Sequence, residues 1–259
     1  MFDTRINAVL EVEWLSRPLP EFVNRRAAVR ASIDFNPPGG IDDFIRLGIR
    51  VEGTSDEIFD PVIPPIPAHS KAISVGPFFR AGRLDTDRLR FDKGFIELHA
   101  DSMATTDPKW PFAEILTLEG QYFWKLGTRF NIATRVMAGL ELGARPQDRF
   151  YIGGLDRVRG YVYSEIRAQK FAIANSELRF IAFDSMWFAV MPLVFVDGGV
   201  AHSDTGRVQP LASLGGGVRL MSPRLVKFGV RFEVAFPLVA SLQTPVGKPG
   251  INFGIWHYF

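Results

Sequence analysis

Cysteine does not occur among the 259 residues of the chain. Its absence excludes a disulfide framework, a thiolate metal site and a cysteine nucleophile.

Long apolar runs are also missing. The longest, Met186 to Val196, is far shorter than the roughly 20 residues that a membrane helix needs, and Pro192 interrupts it. This excludes a helical membrane span.

The first residues, Met-Phe-Asp-Thr-Arg, lack the basic start, apolar core and small-residue cleavage site of a secretion signal. We therefore expect that such a signal is either absent or was removed.

An excess of one charge sign is absent too. The 30 basic and 28 acidic side chains are mixed along the whole length and leave a net charge of +2. Without a basic cluster or stripe, nucleic acid is excluded as a partner.

The apolar residues, 47% of the chain, are spread just as evenly, so we predict one domain over residues 1–259.

Strict alternation of apolar and polar residues is the main pattern present. Between Leu225 and Leu238, the apolar side chains fall on one face, whereas Lys227, Arg231 and Glu233 fall on the other. The same period of two predicts about twelve two-faced strands of ~10 or more residues. They are 4–14, 22–35, 41–52, 71–84, 92–103, 113–125, 129–143, 171–183, 187–201, 211–221, 225–238 and 250–259.

The predicted links between these strands alternate between short and long. The longer ones are Ser16 to Glu21, Gly53 to Ser70, Ala104 to Pro111, Ala144 to Lys170, His202 to Pro210 and Val239 to Lys248. Transmembrane barrels arrange their periplasmic turns and extracellular loops in this way.

A soluble β-sandwich or lipocalin-like barrel would alternate as well. Soluble strands average only about 5 to 6 residues, however, and charges on the inner face of a soluble core would cost several kcal/mol each. The pattern therefore predicts an all-β fold, a transmembrane antiparallel β-barrel of about twelve strands, whose apolar face contacts lipid and whose charged face lines a wet lumen.

The most distinctive stretch is the glycine-bracketed loop from Phe150 to Tyr161, which as an isolated segment could be an ordinary surface turn. Its motif residues, together with Asn175 to Phe180 and Val194 to Gly199, resemble in order the motifs of the BamA-type superfamily of outer-membrane assembly and translocation barrels. The similarity covers roughly residues 113–259. The loop residues that carry it are Gly153, Gly154, Val158, Arg159, Gly160 and Tyr161.

This resemblance implies that the loop folds into the lumen and that Arg159 meets Glu177 and Asp197 on the barrel wall. It also implies a C-terminal assembly signal, in which His257 departs from the usual apolar residue; its residues are Asn252, Gly254, Tyr258 and Phe259. Family members usually have sixteen strands and soluble periplasmic modules. We expect a shortened relative that lacks about four strands and those modules.

Signatures of catalysis are missing from the sequence. His202 and Ser203 are adjacent and would point apart, His99 has Asp101 rather than serine at the next same-face position, and no Gly-x-Ser-x-Gly elbow exists. His99 with Asp101, and His202 with Asp204, would each give a metal only two ligands. We therefore expect neither an enzyme nor a cofactor or metal.

Two functions remain open at this stage. The first is insertion or translocation of polypeptides in the bacterial outer membrane, through a seam between strands 4–14 and 250–259. The second is a passive small-solute pore or structural surface protein that keeps the loop as a plug. The expected partners are outer-membrane lipid and lipopolysaccharide, with unfolded outer-membrane or secreted polypeptides as candidate clients, and the oligomeric state stays open.

Overall fold

The structure, a computed structural model, describes residues 5–19, 22–36, 44–59, 69–87, 90–203, 206–222 and 228–257. In these parts the chain forms twelve long strands and two short ones, β8 and β10, with a single 3-10 turn at Pro146–Asp148. None of the helical structure described there is long and apolar enough to cross a membrane. The strands are β1 (Arg5–Leu19), β2 (Phe22–Asn36), β3 (Ile45–Phe59), β4 (His69–Asp87), β5 (Arg90–Thr105), β6 (Phe112–Leu126), β7 (Phe130–Leu142), β8 (Phe150–Ile152), β9 (Ile166–Phe180), β10 (Phe183–Asp184), β11 (Ala189–Ser203), β12 (Val208–Ser222), β13 (Phe228–Pro237) and β14 (Gly250–His257).

Long strands that are neighbours in sequence are also neighbours in the sheet. The hydrogen-bonded order is β1-β2-β3-β4-β5-β6-β7-β9-β11-β12-β13-β14, while β8 pairs with β9 and β10 with β11. Pairing is antiparallel wherever the register is defined, from β1 to β4 and from β9 to β14. Each of the twelve predicted segments overlaps one of the long strands.

One predicted link is wrong. Ser16 to Glu21 was expected to be a longer connection, but β1 continues to Leu19 and β2 begins at Phe22, with Leu19 paired directly to Phe22. The link from Gly53 to Ser70 is also shorter than expected, because β3 continues through Gly53 to Phe59. The alternation of short and long links therefore does not hold at the start of the chain.

Contacts along the chain define two compact units. Unit 1 comprises Met1–Gly82, Ile96–Leu118 and Gly139–Phe150, and unit 2 comprises Arg83–Phe95, Glu119–Ala138 and Tyr151–Phe259.

Both units bury polar side chains and expose apolar ones. In unit 1, Asn24 and Asp56 are buried, whereas Val12, Ile33 and Ile49 are exposed. In unit 2, Glu233 is fully buried, while its neighbour Phe232 is 45% exposed. The faces of the strands thus divide as the alternation predicts, with hydrocarbon outside and charge inside.

A buried network in unit 1, the Arg145 cluster, holds the first part of the connection that follows β7. Arg145 is fully buried. Its guanidinium donates to Asp148 (2.5 Å), to Asp56 on β3 (3.1 Å) and to the hydroxyl of Ser70 on β4 (2.8 Å). Arg26 on β2 donates to the same two carboxylates, Asp56 (2.6 Å) and Asp148 (2.5 Å). Two cations and two anions balance, so this segment is fixed to three strands without net buried charge.

Close strand packing in unit 1 depends on a glycine. A Cβ at Gly76 of β4 would overlap the carbonyl oxygen of Ala100 on β5 and would lie 2.7 Å from the Cα of Asp101. A Cβ at Gly53 of β3 would have no atom within 4 Å among the described residues. The two positions offer a matched pair for testing this packing.

We expect Gly76→Ala to destabilise the protein and Gly53→Ala to leave its stability nearly unchanged. The added methyl group of Gly76→Ala must displace backbone, which typically costs about 1–3 kcal/mol. Thermal unfolding of the detergent-solubilised variants, followed by circular dichroism, measures the difference. Equal melting temperatures for the two variants would contradict the packing described for β4 and β5.

Candidate functional site

The loop that carries the glycine and arginine motif lies in the connection between β7 and β9, residues 143–165. Its second part, from Tyr151 onward, belongs to unit 2. Every motif residue in it is buried, and Val158 is completely inaccessible. The motif is therefore packed against the strands of unit 2 and is not an ordinary surface turn. The buried motif residues are Gly153, Gly154, Val158, Arg159, Gly160 and Tyr161.

Two glycines let this loop pack so closely. Gly153 has a φ of +118°, and a Cβ there would overlap the carbonyl oxygen of Val162. Gly160 has a φ of +88°, and its Cβ would lie 3.1 Å from the Cβ of Ala235 on β13. A side chain at either position would be strained, and one at Gly160 would also push the adjacent Arg159 away from β13.

Arg159 ends in a cage of carboxylates. Its backbone N–H and its Nε both donate to Oδ2 of Asp197, at 3.0 and 2.7 Å, and its Nη2 donates to Oδ1 of the same residue at 2.6 Å. Its Nη1 donates to Glu177 at 2.6 Å and to Glu233 at 3.3 Å. One guanidinium thus joins the loop to β9, β11 and β13 by charge-assisted hydrogen bonds.

Two more arginines complete this network. Arg219 on β12 donates to Glu177 (2.9 Å) and to Glu233 (3.3 Å), and Arg179 on β9 donates from its Nε to Glu177 (2.8 Å). Three cations and three anions form what we call the Arg159 cluster, and their formal charges sum to zero. The members are Arg159, Arg179, Arg219, Glu177, Asp197 and Glu233.

The guanidinium of Arg159 also stacks on an aromatic ring. Its Cζ lies 3.5 Å from the ring centroid of Phe195, which precedes Asp197 by two positions on the same face of β11. Cation–π contact of this kind suits the planar guanidinium better than a lysine ammonium. Burial opposes the charge on Arg159, but the hydrogen bonds and ion pairs outweigh it and hold its pKa above the ordinary value.

Tyr161 secures the end of the motif. Its hydroxyl lies 2.8 Å from the carbonyl oxygen of Val239 and 3.1 Å from that of Ala212, and it accepts a hydrogen bond from the N–H of Ala212 at 3.1 Å. Burial raises the pKa of the Tyr161 phenol above its ordinary value. The tyrosine thereby joins the loop to β12 and to the residues that follow β13.

Glu165, just before β9, ties the loop to the link between β13 and β14. Its carboxylate accepts hydrogen bonds from the backbone N–H of Gln243 (2.6 Å), the hydroxyl of Thr244 (2.6 Å) and the hydroxyl of Ser241. The role of Glu165 is not evident from the sequence. Nothing in its local pattern distinguishes it from other loop carboxylates, because its partners lie more than 70 residues away in the chain.

The structure brings Arg159 together with Glu177 and Asp197, the two partners that the resemblance implied. Asp197 lies within β11. Glu233 and Arg219 were not assigned from sequence, although the alternation between Leu225 and Leu238 already placed Glu233 on the polar face. This alternation was the signal that could have indicated that the side chain of Glu233 lies on the same face as the other charged residues.

The C-terminal residues of the predicted assembly signal lie partly within the structure. Gly254 on β14 pairs with Arg231, and a Cβ there would lie 2.9 Å from Nε of Arg231 and from Cδ2 of Leu155. Asn252 pairs with Glu233 on β13. Tyr258 and Phe259 fall outside the described residues.

A cavity of about 210 Å³ lies beside the Arg159 cluster in unit 2. It separates the loop residues Leu155 to Arg157 from strands that include β7 and β9, and arginine is the most frequent residue in its wall. As for metals, the described part of the chain holds no group of three or more His, Asp or Glu side chains that could bind an ion. His99 instead stacks on Phe78 and lies 2.5 Å from Glu97.

Two solved structures have a fold similar to that of this chain. BamA from Haemophilus ducreyi lacking POTRA domains 1–3 is similar with a TM-score of 0.65 at 13% identity, over 98% of this chain and 59% of that one. CdiB from Escherichia coli is similar with a TM-score of 0.62 at 13% identity, over 97% of this chain and 49% of that one. The chain therefore spans between about half and three fifths of the length of these proteins, and the likeness is one of fold.

No curated protein sequence is significantly similar to the chain. The model of the Omp85 superfamily domain matches residues 113–259, more than half of the chain. The match begins at β6 and includes the motif loop and every strand that contributes to the Arg159 cluster. The predicted fold class, an all-β barrel of the BamA type, is confirmed. The chain belongs to the Omp85 superfamily of outer-membrane β-barrel proteins.

Proposed function

We propose that the protein is an integral barrel of the bacterial outer membrane that inserts or translocates polypeptides, and that the Arg159 cluster locks its long loop inside the barrel. The observation that carries the lock is the pairing of Arg159 with carboxylates on three different strands. Family membership supports the location. The exposed apolar faces support contact with membrane lipid and with lipopolysaccharide.

The lock would act by charge neutrality. As long as the three arginines and three acids of the Arg159 cluster stay together, no charge is left alone in a nearly dry site. Withdrawing the loop would remove one cation and leave three acids facing two arginines, which is costly without water. The loop is therefore expected to stay in place and to limit the free passage through the barrel.

Polypeptide handling would use the two strands at the ends of the sheet order. In the described part of the chain, β1 has 15 residues and β14 has eight. A seam that pairs along the described length of β14 would leave backbone groups of β1 for a client strand. Ile251, Phe253 and Ile255 of β14 are exposed apolar residues, as a lipid-facing seam requires.

A passive solute pore is the second candidate function. The cavity beside the Arg159 cluster favours it, because an arginine-lined space next to a plugging loop resembles the charged constriction of a selective pore. In that case the loop would stiffen and narrow the barrel without handling a client.

The first prediction of this proposal concerns Arg159→Ala. We expect it to free the loop, to increase the conductance in planar bilayers and to lower the unfolding free energy by about 3–5 kcal/mol, since three acids lose a partner. Arg207→Ala removes an exposed arginine from the link between β11 and β12 and serves as the control. Unchanged conductance together with an unchanged melting temperature would argue against the lock.

Pairing in the cluster can be measured directly with the double variant Arg159→Ala/Asp197→Asn. Because the second change removes the acid that Arg159 left unpaired, the double variant should lose less stability than the sum of the two single variants. A double-mutant cycle on unfolding in urea gives the coupling energy. Strict additivity would show that the two side chains do not interact.

The seam prediction uses the natural absence of cysteine. Cysteines introduced at Ala8 on β1 and Ile255 on β14 are the only thiols, so any disulfide between them reports that these strands meet. We expect the cross-link to form and to abolish polypeptide insertion or secretion in cells, with activity restored by a reductant. Full activity in the cross-linked protein would exclude lateral opening and would favour the pore.

A further inference from the structure

The cavity beside the Arg159 cluster has a wall of unusual charge. Two acids, Asp156 and Glu177, line it together with six arginines, so the lining residues carry a formal charge of 6 − 2 = +4. All of them belong to unit 2. The arginines are Arg135, Arg157, Arg159, Arg179, Arg219 and Arg231.

Several of the acids that balance these arginines stand behind them. Asp197 and Glu233 pair with Arg159 but are not among the residues that line the cavity. Glu119 likewise accepts from Nε of Arg135 at 2.9 Å without lining it. These three ion pairs are thus oriented with their cationic ends toward the cavity. This orientation favours a positive potential inside it, even though most of the charge is compensated.

Two of these arginines do not use all their donors in the ion pairs described. A guanidinium has five N–H groups. Arg231 uses Nη2 to bind Asp156 at 2.6 Å, while its Nε is buried beside β14, where a Cβ at Gly254 would lie 2.9 Å from it. Arg135 uses Nε for Glu119 and Nη1 for the backbone oxygen of Asp156. The side chain of Asp156 is itself 76% exposed, so an incoming anion could take its place at modest cost.

The size of the cavity limits the ligand. Pockets for drug-sized ligands measure about 300–1,000 Å³, and this one, at about 210 Å³, suits a small ion with some water. A tetrahedral oxyanion offers several acceptor oxygens to forked guanidinium groups. We propose that the cavity binds a small oxyanion of the phosphate type, with Arg135 and Arg231 as its principal donors.

The site is independent of polypeptide handling, because it requires neither a client nor an open seam. It requires only the loop in the place that the structure gives it, since Asp156 and Arg157 form part of the wall. Loss of anion binding in a protein whose lock is intact would therefore count against the anion site alone and would leave the proposed polypeptide function untouched.

The test is isothermal titration of the full chain, in a phosphate-free nonionic detergent, with sodium phosphate and with sodium chloride at equal ionic strength. We expect saturable binding of phosphate at one site, at least tenfold tighter than any binding of chloride. Arg135→Gln/Arg231→Gln should weaken it at least tenfold, and Arg207→Gln, an exposed control, should not change it. Phosphate binding that is no tighter than chloride binding, or equal affinity in the double variant and the wild type, would overturn the proposal.

Two further measurements keep the test clear. Arg231→Lys retains the charge but loses the forked pair of N–H donors, so its affinity for phosphate should be intermediate and its melting temperature unchanged. Wild-type affinity in this variant would contradict the role assigned to the guanidinium of Arg231.

Adding phosphatidylglycerol to the micelles distinguishes the source of the phosphate group. We expect no competition from the lipid, because the cavity is small, whereas competition that disappears in the double variant would assign the same donors to a headgroup phosphate.

Discussion

Arg159 is only 3% exposed, so its guanidinium must be surrounded by compensating charge, and this requirement organises the second half of the chain. Desolvating a single ion costs several kcal/mol, which only well-placed partners can offset. Arg159 obtains its partners from β9, β11 and β13, and Arg219 on β12 shares two of them. The position of the loop and the registers of four strands therefore depend on one another, because moving any one of them would leave a charge unpaired.

The alternation of polar and apolar residues places the charged side chains of this cluster on one face of each strand and apolar side chains on the outer face. Glu177 is buried in the cluster, and its neighbour Leu178 is 40% exposed on the opposite face. A slip of β9 by one residue would place Leu178 among the charges and Glu177 in hydrocarbon, two errors from one shift. Lipid outside and ion pairs inside thus stabilise the same register, and neither could be changed without the other.

Sequence alternation was sufficient to find all twelve long strands, but the ends of β1 and β3 were misplaced for a physical reason. The predicted link from Ser16 to Glu21 contains Pro18, which lacks a ladder donor, yet Pro18 pairs with Val23 near the end of β1, which begins the sheet order and tolerates proline at its edge. Gly53 suggested a loop, but it pairs with both Val29 and Ile73. Local turn signals were outweighed by pairing partners that the sequence does not reveal.

Only part of the candidate site could be predicted from the sequence. The alternation of polar and apolar residues shows on which face of a strand a residue lies, but not at what height along the barrel wall. Arg145 and Asp56 are 89 residues apart in the chain, and no local pattern connects them. Glu233, by contrast, could have been found by counting the buried positive and negative charges. Arg159, Arg179 and Arg219 surround Glu177 and Asp197, and five such groups would leave one buried cation without compensation. A third carboxylate is required on a neighbouring strand, and on β13 the polar face offers Glu233 alone. Counting buried charges, once the strands are in order, thus finds a partner that neither the motif nor the alternation identifies by itself.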